Sequence, residues 1–321
     1  MSEAESTQQL ILDTAGRIFA DHCDKQLLDK AEQGELAQAL WAQIAENGFN
    51  HLGTADSGTD VVDMFAFIQL CGNHAVPLPI AETLLVNNWC GAGDGLYSIG
   101  EVADGKIVNV PWGRVAQKVV GVRRDDHTVV VVEDPKVVEQ GSNLAGEPRD
   151  VIALPADAEQ LQIAVDPYAQ LAVARCNQIA GSVLKMLDLG VQYSTERIQF
   201  GRSLSKFQAI QHSLAVVAAE AAAAKRAADA AADSLQGDRF IFDVAASKAR
   251  VGEAATVVEE QIHQVHGAMG FTHEHQLHHY SRRAWAWRDE YGNEFYWQTV
   301  LGTHMAALGA DNVWSFIATR G

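Results

Sequence analysis

Proline is missing from the last 154 residues of this chain, nearly half of it. All seven prolines fall between Pro77 and Pro167, and residues 168–321 contain none. Proline breaks helix interiors, so its absence over such a tract permits helices of many turns. Cysteine is scarce too. Cys23, Cys71, Cys90 and Cys176 show no CxxC spacing, which excludes a paired-cysteine motif and fits a reduced, cytoplasmic compartment with the four as small apolar fillers. Positive charge is in short supply, with 24 Lys+Arg against 41 Asp+Glu and a net charge of −17. That balance argues against a general nucleic-acid or membrane-surface binder. Most of the excess lies in residues 1–100, which hold 14 acidic and 3 basic side chains and read as a solvated acidic surface. No apolar run is long enough to cross a bilayer. Glu3, Glu5, Asp13 and Asp21 interrupt the first thirty residues, so no signal peptide is expected there. A GxGxxG fingerprint and a P-loop are also missing; Gly91-Ala-Gly93-Asp-Gly95 lacks the final glycine spacing.

What remains is an ordinary globular composition, 48% hydrophobic and 20% charged over 321 residues. The proline-free tract shows helical periodicity over Leu171–Arg197 and an alanine-rich stretch over Ala215–Leu235, with Gly237-Asp238 as a break and N-cap. Four or five helices are expected to pack there as a bundle. Helical spacing also covers Thr7–Asp21 and Glu35–Asn47, and Pro77-Leu-Pro-Ile80 opens a further helix. Between them, β-branched runs at Ile107–Val110, Val119–Val122 and Thr128–Val132 predict a module of about five short strands. The fold class is therefore mainly α with a small β-module: an N-terminal helical domain (1–98), a reduced middle β-domain (99–166) and a C-terminal helical bundle (167–321).

Two segments point to chemistry. Tyr193-Ser-Thr-Glu-Arg197-Ile-Gln-Phe200-Gly201 reads as a helix end running into a loop, and Gln264-Val-His-Gly267-Ala-Met-Gly270-Phe271 as a glycine pair closing a long helix. With Phe207-Gln208, they resemble the flavin-contacting segments of acyl-CoA dehydrogenases. The order of helical, β and helical parts, Leu40-Trp41 through Gly48, and Pro77 through Thr83 resemble that family as well, and Val110-Pro-Trp-Gly113 is similar to its lead into a β-domain strand. The resemblance implies FAD as cofactor. Arg197, Phe200, Gln208, Gln264 and Gly267 would contact the FAD of a neighbouring subunit, Arg197 at the pyrophosphate and Gln264 and Gly267 at the adenosine. Taken alone, Arg197 is equally a C-terminal cation complementing a helix dipole, and a glycine pair is a common cap. His263, His266, His273, His275, His278 and His279 crowd one segment, but without HExxH or cysteine partners they read as polar groups at a subunit interface or, on the resemblance, near the adenine, and no metal is expected.

Proton abstraction from an acyl thioester needs a carboxylate beside the flavin. The resemblance offers two positions for it. One falls at about Leu171, between Gln170 and Ala172; the other falls at Tyr291, with Asp289 and Glu290 just before it. Those two acids are the weak base candidates, and they are equally a solvated pair or partners of Arg282, Arg283 and Arg288. The glycine-serine segment that would hold the flavin ring has only a loop-like counterpart, Gly141-Ser142-Asn143. Residues offered to a neighbour's FAD are thus present, while those serving the chain's own site are not. With this pattern the chain resembles the short subunit of a heterotetrameric (α2β2) bacterial acyl-CoA dehydrogenase of the steroid side-chain degradation type. A longer homologous subunit would carry the base, the substrate would be an acyl-CoA, and an electron-transfer flavoprotein would reoxidise the flavin. The alternatives are a self-sufficient homo-oligomer using Asp289 or Glu290, and a non-catalytic scaffold. Of Trp285, Trp287 and Trp297, a core position is expected.

Overall fold

The computed structural model describes residues 3–124 and 126–319, with side chains from Thr7 onward. Five helices come first: α1 (Glu3–His22), α2 (Lys25–Glu32), α3 (Gln38–Glu46), α4 (Val61–Asn73) and α5 (Ile80–Cys90). Asp60 and Asp63 form a reciprocal capping box at the start of α4, satisfying first-turn amides that would otherwise lack acceptors. Seven strands follow: β1 (Tyr97–Ala103), β2 (Lys106–Pro111), β3 (Lys118–Val122), β4 (Thr128–Glu133), β5 (Val137–Glu139), β6 (Arg149–Ala153) and β7 (Glu159–Gln162). They build one sheet in the order β5-β6-β2-β1-β3-β4-β7, and only the β1–β3 pair is parallel.

The sheet corrects the expectation of about five strands. Only β2, β3 and β4 carry the continuous β-branched runs that announce a strand; β6 and β7 are Arg-Asp-Val-Ile-Ala and Glu-Gln-Leu-Gln. Their backbone pairing, not their composition, makes them strands. Val110-Pro-Trp-Gly113 is also corrected: it closes β2 rather than leading into a strand, and Trp112 turns the chain at φ +53°.

The proline-free tract forms α6 (Pro167–Glu196), α7 (Gln208–Asp233), α8 (Phe240–His266) and α9 (Leu277–Asp289), followed by α10 (Glu294–Leu308) and α11 (Ala310–Ala318). Pro167 stands in the first turn of α6, where its missing N–H costs nothing, and the Asp166 carboxylate accepts from Ala169 N at 3.0 Å. Gly237 does mark the break between α7 and α8. Asp238 is not the N-cap, however: Arg239 takes that place without a side-chain cap bond. Small buried residues on α7, Ala221, Ala224, Ala228 and Ala231, bring α7 and α8 close. Trp287 and Trp297 enter the core as expected, whereas Trp285 is half exposed. Of α10 only Trp297 is buried and of α11 nothing is, leaving Phe295, Trp314 and Ile317 on the surface. No helix among the described residues is long and apolar enough to cross a membrane.

The N-terminal helices join the bundle where α4 crosses α6. A Cβ at Gly72 would press onto the Gln178 carbonyl oxygen, and one at Gly181 onto that of Gln69, so each helix supplies the glycine its partner's backbone needs. Gly181→Ala is expected to lose roughly 1–3 kcal/mol or more in urea unfolding, because the clash is with backbone rather than a flexible side chain. Gly16→Ala in α1, where a Cβ meets nothing within 4 Å, is expected to be neutral or stabilising by up to about 1 kcal/mol.

Candidate functional site

Because α7 runs back along α6 and α8 returns, the C-terminal ends of α6 and α8 meet. Tyr193, in the last turn of α6, stacks on His266, the last residue of α8, with ring centroids 4.6 Å apart. His275 packs edge-on against both rings. His266 is buried and its Nδ1 lies 2.7 Å from the Ile262 carbonyl oxygen; burial drives its pKa down to about 4, so the stacked ring is neutral. This stack brings together the stems of the two segments singled out in the sequence.

Beyond α6, a two-stranded hairpin, β8 (Ile198–Gln199) and β9 (Arg202–Ser203), turns at Phe200 and Gly201, whose φ values are +51° and +77°. The Arg197 carbonyl accepts from Leu204 N at 2.9 Å, fixing the root of the hairpin. Phe200 is 89% exposed and meets Phe207 edge-on, while the Arg202 guanidinium lies 4.1 Å from the Phe207 ring centre. Arg197 itself is exposed and forms no side-chain hydrogen bond or ion pair among the described residues. Gln208 opens α7, also exposed, and α7 has no side-chain cap. Its first-turn amides therefore face outward beside the hairpin, where the helix dipole favours an anion.

At the end of α8, Gln264 and Gly267 are exposed. Gly267 has φ +57°, and a Cβ there would meet nothing, so its backbone is open to close approach. Both line a surface cavity of about 430 Å³ with Glu259, Glu260, His263, Phe271 and Trp285. Glu259 is a residue the sequence reading missed. It is 3% exposed, neither carboxyl oxygen has a hydrogen-bond partner, and burial raises its pKa to about 9 despite Arg288. The available signal was its spacing from Ala255 and Ile262, which puts it on the buried face of α8 rather than with exposed Glu260.

The base positions look quite different. Leu171 is fully buried, and Tyr291 is buried at φ +54° with the Arg175 guanidinium 5.2 Å from its ring centre. Asp289 is exposed. Glu290 is not free to act as a base: Arg149 reaches Oε1 at 2.8 Å and Arg175 reaches Oε2 at 2.6 Å. Burial alone would raise its pKa, but the two guanidiniums outweigh it and hold the carboxyl below its ordinary value. Its expected partners are corrected too. Arg288 pairs with Glu294, Arg282 with Glu32, and Arg283 with Glu32 and Glu147.

Arg175 also binds Glu82 of α5 at 2.6 Å and Gln178 at 2.5 Å, and Glu147 accepts from Arg149 and Trp287. Sequence reasoning missed Glu82, Glu147, Arg149 and Arg175, which come from three distant segments. The cavity among them has only about 10 Å³ of space for a water-sized sphere, so no ligand fits.

Residues 167–293 match the family described as "Acyl-CoA dehydrogenase, C-terminal domain". Acyl-CoA dehydrogenase IpdE2 of Mycolicibacterium smegmatis is 25% identical over 305 residues, covering 86% of this chain and 92% of IpdE2. Over residues 167–293 the chain is similar to the acyl-CoA dehydrogenase family, as it is along most of its length to IpdE2. Its fold matches a chain of the ChsE4-ChsE5 complex from Mycobacterium tuberculosis with a TM-score of 0.84 at 17% identity, over 97% of this chain and 99% of that one. A chain of the Tcur3481-Tcur3483 steroid ACAD matches with a TM-score of 0.84 at 19% identity, over 95% and 99%. At these identities the likeness is one of fold.

Two outcomes follow from this acyl-CoA dehydrogenase fold and its charges. Glu290→Gln leaves two buried guanidiniums short of a counter-ion and is expected to cost about 3–5 kcal/mol in urea unfolding, a loss that a solvent-facing base would not show. Glu259→Gln acts through pH. Glu259 is protonated in the folded chain and ionised in the unfolded one between about pH 4.5 and 9, so folding takes up a proton and stability falls as pH rises through that window. The melting temperature of the Gln variant relative to the native chain is therefore expected to climb from pH 5 to pH 9.

Proposed function

We propose that this chain is the subunit of a heteromeric acyl-CoA dehydrogenase that completes its partner's FAD site and has no working site of its own. One observation carries the reading. All five residues assigned to FAD contact, Arg197, Phe200, Gln208, Gln264 and Gly267, lie on the outer surface, while the interior position for a base is filled by Leu171, Tyr291 and the Glu290 ion pairs. Side chains that serve a cofactor bound within one chain converge on an internal cavity. These face away from the chain, and their stems are locked together by Tyr193 and His266.

The residues fit FAD. An unpaired guanidinium at Arg197, beside the uncapped start of α7, supplies forked donors and a helix dipole for a pyrophosphate. The open backbone at Gly267, the Gln264 amide and the cavity with Trp285 and Phe271 suit a flat, polar-edged ring such as adenine. When bound, FAD supplies the acceptor for the hydride that leaves Cβ of the acyl thioester. The partner, a longer homologous subunit, supplies the glutamate that removes the α-proton, and an electron-transfer flavoprotein reoxidises the pair. Likeness in fold to chains of the ChsE4-ChsE5 complex and of a steroid ACAD supports a steroid-derived acyl-CoA as substrate.

Counting flavin tests the reading. Made alone, the chain is expected to be colourless; purified with its partner, the complex is expected to hold one FAD per pair of subunits, read from the flavin absorbance band. Arg197→Ala in the complex is expected to lower FAD retention about tenfold or more while the two subunits still co-purify. A yellow, active homo-oligomer of this chain alone would overturn it.

A further inference from the structure

The flavin reading leaves one cluster unused, at the opposite side of the histidine-rich segment. His278 and His279 open α9, and α2 packs against them with Asp29 and Glu32. His278 Nδ1 lies 2.7 Å from the His275 carbonyl oxygen. A carbonyl only accepts, so Nδ1 carries the proton and Nε2 is a bare lone pair. That Nε2 is buried with no partner among the described residues. His279 repeats the arrangement: Nδ1 lies 2.7 Å from Glu32 Oε1, so it donates to the carboxylate and leaves Nε2 bare. His279 is fully buried, and its Nε2 faces Asp29 Oδ1 at 3.3 Å. The other Asp29 oxygen is held by Lys25 at 2.6 Å, which leaves Oδ1 pointing at the imidazoles.

Asp29, His278 and His279 thus each offer a ligand atom, and the three atoms lie within 4.8 Å of one another. Acceptors gathered without a donor repel, and burial makes the repulsion costly. A single proton on His279 would answer Asp29 but leave His278 Nε2 without a partner. A cation at the centre answers all three.

We propose that Asp29, His278 and His279 bind a divalent transition metal of the zinc class, fastening α2 to α9. Two imidazoles and one carboxylate are a zinc-type ligand set, and they disfavour magnesium and calcium, which take oxygen. Ligands about 2.0–2.1 Å from a tetrahedral zinc are roughly 3.3 Å apart; Asp29 Oδ1 and His279 Nε2 already stand at 3.3 Å, and the His278 ligand atom, within 4.8 Å of both, would be drawn inward on binding. The surroundings are already those of a held metal. Glu32 and the His275 carbonyl fix each ring through the nitrogen facing away from the metal, and Arg282 and Arg283 in turn hold Glu32. A water completes the coordination, or exposed His273, whose ring centre is 5.1 Å from that of His278. Spacing in the sequence gave no motif because the carboxylates come from far away: Glu32 is 247 residues from His279.

The test uses the full chain in complex with its partner, stripped with a chelator, dialysed, and titrated calorimetrically with Zn²⁺. One ion per copy of this chain is expected, with a rise in melting temperature that Mg²⁺ does not produce. Co²⁺ is expected to give the visible absorption of a low-coordinate site. His278→Gln and His279→Gln, which keep a similar volume, are each expected to weaken binding about 10–100-fold. His22→Ala, an exposed histidine outside the cluster, is expected to leave it unchanged. The metal-free variants are expected to melt as the metal-free native complex does, which separates lost ligation from lost folding. No zinc uptake by the native complex, or uptake that survives the double His278→Gln/His279→Gln change, would overturn the proposal. A failed flavin count leaves it standing, since no residue is shared.

Discussion

Glu290 is the carboxylate on which the arrangement turns. It receives Arg149 from the sheet and Arg175 from α6, and these pass the charge on to Glu147 and Glu82. Arg283 extends the same lattice from Glu147 to Glu32 on α2. Sheet, N-terminal helices and bundle are therefore joined by charges rather than by apolar contact alone. Such a lattice holds only if each member is satisfied, because an unpaired ion in a low dielectric costs several kcal/mol. Acids and bases alternate through it, which is why nearly every buried arginine here has a carboxylate within reach.

That lattice occupies the ground an enzyme would need. A catalytic carboxylate must be free to take a proton, so it needs a raised pKa and a space beside it for substrate. Glu290 has neither, since its pKa is held down and the space is filled by Trp112, Trp287 and the guanidiniums. Conversely, the motif residues Arg197, Gln208, Gln264 and Gly267 lie exposed, around the ends of α6 and α8 and the start of α7. The interior carries the ion-pair lattice, and the outer face carries the exposed motif residues.

The large features were readable from the sequence because they rest on local signals. Helix periodicity, the alanine tract and the Pro77–Pro79 opening each act over a few residues, and α5 through α8 fall where those signals are. The strands β6 and β7 were not readable, since their residues are ordinary and only pairing with β2 and β4 defines them. The motif residues Arg197, Gln208, Gln264 and Gly267 were picked out because their short segments resemble those of a family. Charge partners were not. Glu290 was noticed, but Arg149 lies 141 residues away and Arg175 lies 115 away, and nothing local distinguishes them from surface arginines. The same distance hid the convergence of Asp29 with His278 and His279.

The last two helices carry a further consequence. α11 spans nine residues, short of the roughly 12–15 at which an isolated helix becomes marginally stable in water. Its anchors are few: Phe316 sits 3.9 Å beneath the Arg239 guanidinium and edge-on to Phe242, and the Phe316 carbonyl accepts from Arg239. α10 fully buries only Trp297, with Tyr296, Val300 and Leu301 packed partly buried against the core and Glu294 paired with Arg288. The chain's end is thus its least cooperative unit, able to open while the bundle stays closed. Whatever surface comes to cover Trp314 and Ile317 gains more than their contact area, because it also sets how often those last turns are formed. Order at this end is a measure of the company the chain keeps.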